Sequence, residues 1–360
     1  MPDFSFLNAV AVLICPPPLW LPDGHSQTIV PALFGRRALR GWNVWQRTRW
    51  DTPDGDFIDL DWRVPATVQP SVSLSIPPPL LVLFHGLEGS SASHYALAFA
   101  RCATAVGWEM VVPHFRGCSG EINHMPRAYH SGDHAEIDWI LKRLKADQPA
   151  RPIVAVGVSL GGNALARWAG EHEAAAALTV QALAAVCAPL DLTASGHAIG
   201  RGLNRQVYTR MFLNTMRPKA LQKWEQYPGL FSRDAVLAAR DLHDFDNVFT
   251  APLHGFQHTT DYWQQASAKP LLRNIRIPAL LLNALNDPFV PASSLPGAHD
   301  VSPHVTLWQP QHGGHVGFPL RTQSGYSTGD WLLAMPQGVV RWLMGHLDGE
   351  YATNTGERDG

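Results

Sequence analysis

The sequence predicts an α/β protein with a mostly parallel central sheet and helices on both faces, and three observations predict it. Short, nearly continuous apolar runs recur from residue 80 onward, and stretches of helical periodicity separate them. The 360 residues are 46% hydrophobic and 16% charged, the composition of a chain with a large buried core. A strand covered on both faces has no solvent side on which to place polar residues, so such runs read as strands of a parallel sheet.

Taken in order, "MPDFSFLNAVAVLICPPPLW" holds an apolar stretch too short to span a bilayer and lacks the basic region and cleavage site of a signal peptide. It reads as a packing arm. "WNVWQRTRWDT" and "DFIDLDWRV" flank Asp54-Gly55 and alternate apolar with polar residues, which predicts an antiparallel hairpin. "SVSLSIPPP" follows as a proline-rich loop. The buried strands are then "LLVLFHG", "WEMVVPHFRG", "PIVAVGVS", "VQALAAVCAP", "IPALLLNALND" and "VTLWQP". Helices are expected over "SHYALAFARCATAVG", "HAEIDWILKRLKAD" and "NALARWAGEHEAAAAL".

The alternation breaks between about residue 191 and residue 270, where "RQVYTRMFLNTM" and "ALQKWEQY" carry helical patterns and no strand-like run intervenes. The chain therefore divides into a first core part (1–190), a helical lid insertion (191–270), a second core part (271–347) and a polar tail (348–360). "TGDWLLAMPQGVVRWLMGHL" supplies the closing helix.

With 28 basic against 30 acidic residues, no overall charge draws the chain toward nucleic acid or anionic lipid, and a small neutral partner fits better. Cys15, Cys102, Cys118 and Cys187 lie far apart without a Cys-x-x-Cys pair, so free thiols in a reducing, cytoplasmic setting are expected.

The chemistry concentrates at Gly157-Val158-Ser159-Leu160-Gly161. This is a G-x-S-x-G pattern between a buried strand and a helix, the context in which a sharp turn presents a serine hydroxyl to a cleft. A serine hydroxyl is a poor nucleophile at neutral pH, so a base must take its proton and a third group must orient that base. Asp287 falls in the loop at the carboxyl end of the "IPALLLNALND" strand and is the candidate acid; His315, in the glycine-flanked "QHGGHVGF" loop one strand later, is the candidate base. His312 shares that loop and is the rival, with His299 and His304 further off. The oxyanion of a tetrahedral intermediate needs backbone donors, expected from Leu160, after the serine, and Leu87, after His85-Gly86.

Other polar clusters read as structural. His85 is expected to be a satisfied core histidine and Arg116 to pin the "HFRGCSGE" loop. His130, Asp133, His134 and Glu136 read as a capped helix start with solvated polar residues, because the glutamate is misplaced for a zinc H-E-x-x-H pair.

The stretches "HSQTIVPALF", "TPDGDFIDLDW", "FHGLEGSS", "HFRGCSGE", "YHSGD", "VGVSLGGN", "FDNVFTAPLHGF", "NDPFVP" and "HGGHVGF", in that order over residues 25 to about 318, carry a resemblance. The chain resembles the YheT-like branch of the α/β-hydrolase superfamily, relatives of the animal abhydrolase-domain lipases and the yeast ethanol acyltransferases. The resemblance implies an α/β-hydrolase fold, Ser159 as nucleophile, Asp287 as acid, His315 as base, and ester hydrolysis without metal or cofactor. The expected function is a cytoplasmic serine carboxylesterase acting on small esters of short- to medium-chain acyl groups, without stable membrane insertion. Acyl transfer to an alcohol and a catalytically idle binding module are the alternatives.

Overall fold

The computed structural model describes residues 16–64, 77–321 and 329–347. Most of the expected N-terminal arm, most of the proline-rich loop and the polar tail fall outside the described residues. Among the described residues, eight strands form one sheet: β1 (Gln46–Asp51), β2 (Phe57–Arg63), β3 (Leu80–Phe84), β4 (Glu109–Pro113), β5 (Ile153–Val158), β6 (Ala182–Val186), β7 (Ala279–Leu282) and β8 (Val305–Trp308). Their spatial order is β1-β2-β4-β3-β5-β6-β7-β8. The first two pairings, β1 with β2 and β2 with β4, are antiparallel, and the rest are parallel.

The apolar runs are continuous because the sheet is buried on both sides. Leu81, Leu83, Val154, Val156, Val158 and Leu282 face α2 (His94–Ala105) and the closing helix Ala334–Met344. Val82, Phe84, Ile153, Ala155, Leu183 and Leu281 face α3 (His134–Asp147) and α4 (Leu160–His172). Alternate residues of one strand thus enter two different cores, the pleat's period of two.

The hairpin register is set by charge as well as by its turn. Arg47 stands opposite Asp61 and Arg49 opposite Asp59. Each arginine donates through two nitrogens to its partner's carboxylate. Gly55 takes φ +78° at the tip.

Several expected boundaries shift, three of them for a visible reason. The first hairpin strand begins only at Gln46, because Arg40–Trp42 form a 3-10 turn. The "VQALAAVCAP" strand stops at Val186, where Cys187 turns the chain with φ +50°. The "NALARWAGEHEAAAAL" helix ends at His172, since Glu173 takes φ +48° and a 3-10 segment continues to Leu178.

Residues 191–270 are helical, with α5 (Leu192–Ile199), a long helix Arg210–Gln226 and a helix Thr259–Ala266. This segment is tied to the core by named bonds. Lys223 Nζ donates to the carbonyls of Asn123 and Met125 (both 2.7 Å), Tyr227 Oη donates to the His124 carbonyl, and Asn163 Nδ2 donates to the Ala266 carbonyl. Among the described residues, no helix is long and apolar enough to cross a membrane.

Candidate active site

Ser159 stands between β5 and α4 with φ +53° and ψ −118°, a left-handed conformation that few non-glycine residues adopt. The glycines around it are required by space. A methyl group on Gly161 would lie 2.6 Å from the His85 carbonyl oxygen, and one on Gly157 would lie 2.6 Å from Gly162 Cα. The strained turn is held by the Ser159 N–H, which donates to the Val186 carbonyl across the sheet at 2.8 Å.

Asp287 follows β7, and its side chain is fully buried. Oδ1 accepts from the N–H groups of Phe289 (2.7 Å) and Val290 (3.3 Å), which fixes the carboxylate. Oδ2 lies 2.8 Å from His315 Nδ1, and His315 Nε2 lies 2.9 Å from Ser159 Oγ. With Nδ1–H donated to the carboxylate, Nε2 is left to accept the serine proton, the tautomer that general-base action needs. The Phe289 ring packs on the imidazole at a centroid distance of 4.2 Å.

His312, His299 and His304 are exposed and take no part in this chain. The histidine loop points inward because helix α1 (Gly24–Ala38) clamps it. Gln27 Oε1 accepts from Gly313 N–H and Asn286 Nδ2, Thr28 Oγ1 accepts from His315 N–H at 2.8 Å, and Asn286 Oδ1 accepts from Gly314 N–H. Sequence reasoning assigned no role to Gln27 or Thr28. The signal was the polar pair inside the "HSQTIVP" helix start, but its partners lie more than 250 positions away.

The N–H groups of Leu160 and Leu87 have no acceptor among the described residues, and both residues line the cavity that Ser159 faces. Leu160 is the first residue of α4, so the positive end of the helix dipole adds to its donor. His85 is fully buried; Nε2 accepts from Phe115 N–H and Nδ1 donates to the Gly86 carbonyl. Burial lowers its pKa to about 3, so it is the neutral core histidine expected.

Arg116 pins its loop as expected, bridging Asp54, Asp56 and Glu136. The solvated reading of residues 130–136 is corrected. Asp133 and Glu136 are buried, and Asp133 pairs with Arg127. His130 packs against His254 and Tyr262. Burial, with the nearby Asp133 charge, raises the Glu136 pKa above the ordinary carboxylate range. The helix-start pattern concealed this because charges bury only when partners arrive from elsewhere, here Arg116 for Glu136 and Arg127 for Asp133.

The cavity beyond Ser159 measures about 140 Å³ and lies between the core and residues 191–270. Its wall is mainly apolar, with Leu160 and Phe289 from the core and Leu192, Phe245, Phe249 and Trp263 from the helical segment.

A family model described as the alpha/beta hydrolase fold matches residues 79–322. The chain is 40% identical over 297 residues to the Escherichia coli protein named "Putative esterase YheT", covering 82% of this chain and 84% of that one. It is 27% identical over 304 residues to the Homo sapiens phospholipase ABHD3, covering 84% and 73%. The solved Pyrococcus furiosus esterase Pf2001 superposes with a TM-score of 0.51 at 14% identity, covering 84% of this chain and 95% of that one, a likeness of fold. The buried parallel sheet, the strained serine turn and these matches together place the chain in the α/β-hydrolase family, on the branch of the Escherichia coli YheT protein.

Proposed function

We propose that the protein is a serine carboxylesterase with Ser159, His315 and Asp287 as its catalytic triad. The reading is carried by one observation: the unbroken hydrogen-bonded chain from Asp287 through His315 to Ser159 ends at an apolar cavity. Ser159 Oγ attacks the ester carbonyl as His315 Nε2 takes its proton. The oxyanion is received by the N–H groups of Leu160 and Leu87, and collapse expels the alcohol with the proton from His315. Water, deprotonated by the same imidazole, then releases the acid. Asp287 orients the ring and stabilises the imidazolium.

The largely apolar wall supports an acyl chain of short to medium length, and residues 191–270 act as a lid over it. The relatives named as esterase and phospholipase support acyl-ester hydrolysis. Cys102, Cys118 and Cys187 are free and buried, which fits a cytoplasmic enzyme. The test is a chain-length series of p-nitrophenyl esters and acylglycerols, run beside active-site phosphonate labelling. Wild type should hydrolyse a subset of the series and be labelled once, at Ser159, and Ser159→Ala should do neither. An inert wild type with an unlabelled serine would overturn the proposal.

A further inference from the structure

Leu87, the proposed second oxyanion donor, sits in a tight turn in which the Gly89 N–H donates to the Gly86 carbonyl at 2.9 Å. That carbonyl also accepts from His85 Nδ1 at 2.8 Å. Gly86 C=O and Leu87 N–H belong to one planar peptide and point in opposite directions. Whatever holds this turn therefore aims the Leu87 donor.

The third turn residue, Glu88, has φ +56°, a conformation this turn position ordinarily reserves for glycine. A strained side chain kept where glycine would fit needs a reason. Here the side chain is tied down. Glu88 N–H donates to Tyr129 Oη (2.9 Å), Tyr129 O–H donates back to Glu88 Oε1 (2.8 Å), and Lys219 Nζ donates to the same oxygen (2.9 Å). The Tyr129 ring is stacked on Phe115, whose N–H donates to His85. Lys219 belongs to the Arg210–Gln226 helix of the 191–270 segment, and all three residues line the cavity that Ser159 faces. Burial works against the Lys219 charge, but Cys118 and Glu88 outweigh it and hold its pKa above the ordinary value.

We propose that Glu88 is a positioning residue: its carboxylate latches the Arg210–Gln226 helix, through Lys219, to the turn that aims the Leu87 N–H at the substrate carbonyl. The oxyanion hole is then complete only while that helix is seated, so lid closure and transition-state stabilisation are one event. The inference rests on the oxyanion role proposed for Leu87.

The test uses Glu88→Gly, Glu88→Gln, Lys219→Met and Lys219→Arg in the full chain, with steady-state kinetics on the best p-nitrophenyl ester and hydrogen exchange across residues 210–226. Glu88→Gly relieves the turn, so a residue that merely filled space would leave turnover intact there. The latch predicts instead that kcat falls about 10- to 100-fold in Glu88→Gly and Lys219→Met with KM little changed. Exchange at 210–226 should quicken in both, and the Glu88→Gln/Lys219→Met pair should be no worse than its poorer member. Lys219→Arg should recover most of the turnover. Wild-type kcat in Glu88→Gly or Lys219→Met, or exchange unchanged in both, overturns the latch while leaving the esterase reading standing. Absence of turnover and of phosphonate labelling in wild type overturns the esterase reading, and the exchange measurement still decides whether Glu88 and Lys219 hold the helix.

Discussion

At the scale of the residue, the serine turn joins backbone strain to the proposed nucleophile. Ser159 can hold φ +53° because its N–H is fixed to β6 and its glycine neighbours leave room for β3 and α4 to approach. A Gly161→Ala methyl would press on the carbonyls of Phe84 and His85, backbone that cannot rotate aside, at the root of the turn bearing Leu87. We expect that variant to lose about 1–3 kcal/mol of stability to overpacking and about tenfold or more in kcat through displaced donors. Urea melts and steady-state kinetics check both. In the proposed triad Ser159 and His315 act as a unit, so Ser159→Ala and His315→Ala should each cost about four to six orders of magnitude in kcat. The double variant should cost little more; additive losses would argue against a shared proton path.

At the scale of the element, α1 matters more than its place outside the family match suggests. Asp23 and Ser26 cap it reciprocally, which starts the helix at Gly24 and sets Gln27 and Thr28 against the histidine loop. Gln27 is fully buried, and its Nε2 donates to the Leu21 carbonyl while its Oε1 receives two donors. In Gln27→Leu the Gly313 N–H and the Asn286 amide lose their acceptor in a buried place, at a cost of about 1–3 kcal/mol each. The histidine loop should then loosen, with kcat reduced about 10- to 100-fold while Ser159 remains open to phosphonate labelling at a slower rate. Stability and kcat both unchanged would show that α1 is a bystander.

At the scale of the whole molecule, the cavity exists only because the helical segment packs back over the sheet's carboxyl edge, and that packing carries a titrating group. Asp246 lines the cavity half-buried, accepting from Thr250 Oγ1 (2.6 Å) and Trp263 Nε1 (2.9 Å). Burial pushes its pKa up to about 6. A carboxyl whose folded pKa is raised binds its proton more tightly in the native state. Its contribution to stability is therefore full below the unfolded value of about 4 and is lost as pH rises through about 6. The stability difference between wild type and Asp246→Asn should move in the variant's favour by about 2 kcal/mol between pH 4 and pH 7. Urea melts at both pH values measure it; a difference independent of pH would mean that the carboxyl is not strained.

The sequence by itself determined the strands of the sheet and the helices between them, though not α1, since unbroken apolar runs follow from a sheet buried on both faces and the glycines at 157 and 161 follow from a turn with no room for side chains. It also narrowed the candidate acid and base to a few loop residues at strand ends. Only the tertiary structure decided that His315 faces Ser159 while His312 faces solvent, because that choice is made by Gln27 and Thr28 on a helix nearly 290 positions away. The burial of Asp133 and Glu136 and the joining of Glu88 to Lys219 were likewise invisible in the local pattern. Periodicity reports what one segment needs from its surroundings; which distant donor or charge meets that need is settled by strand order and packing.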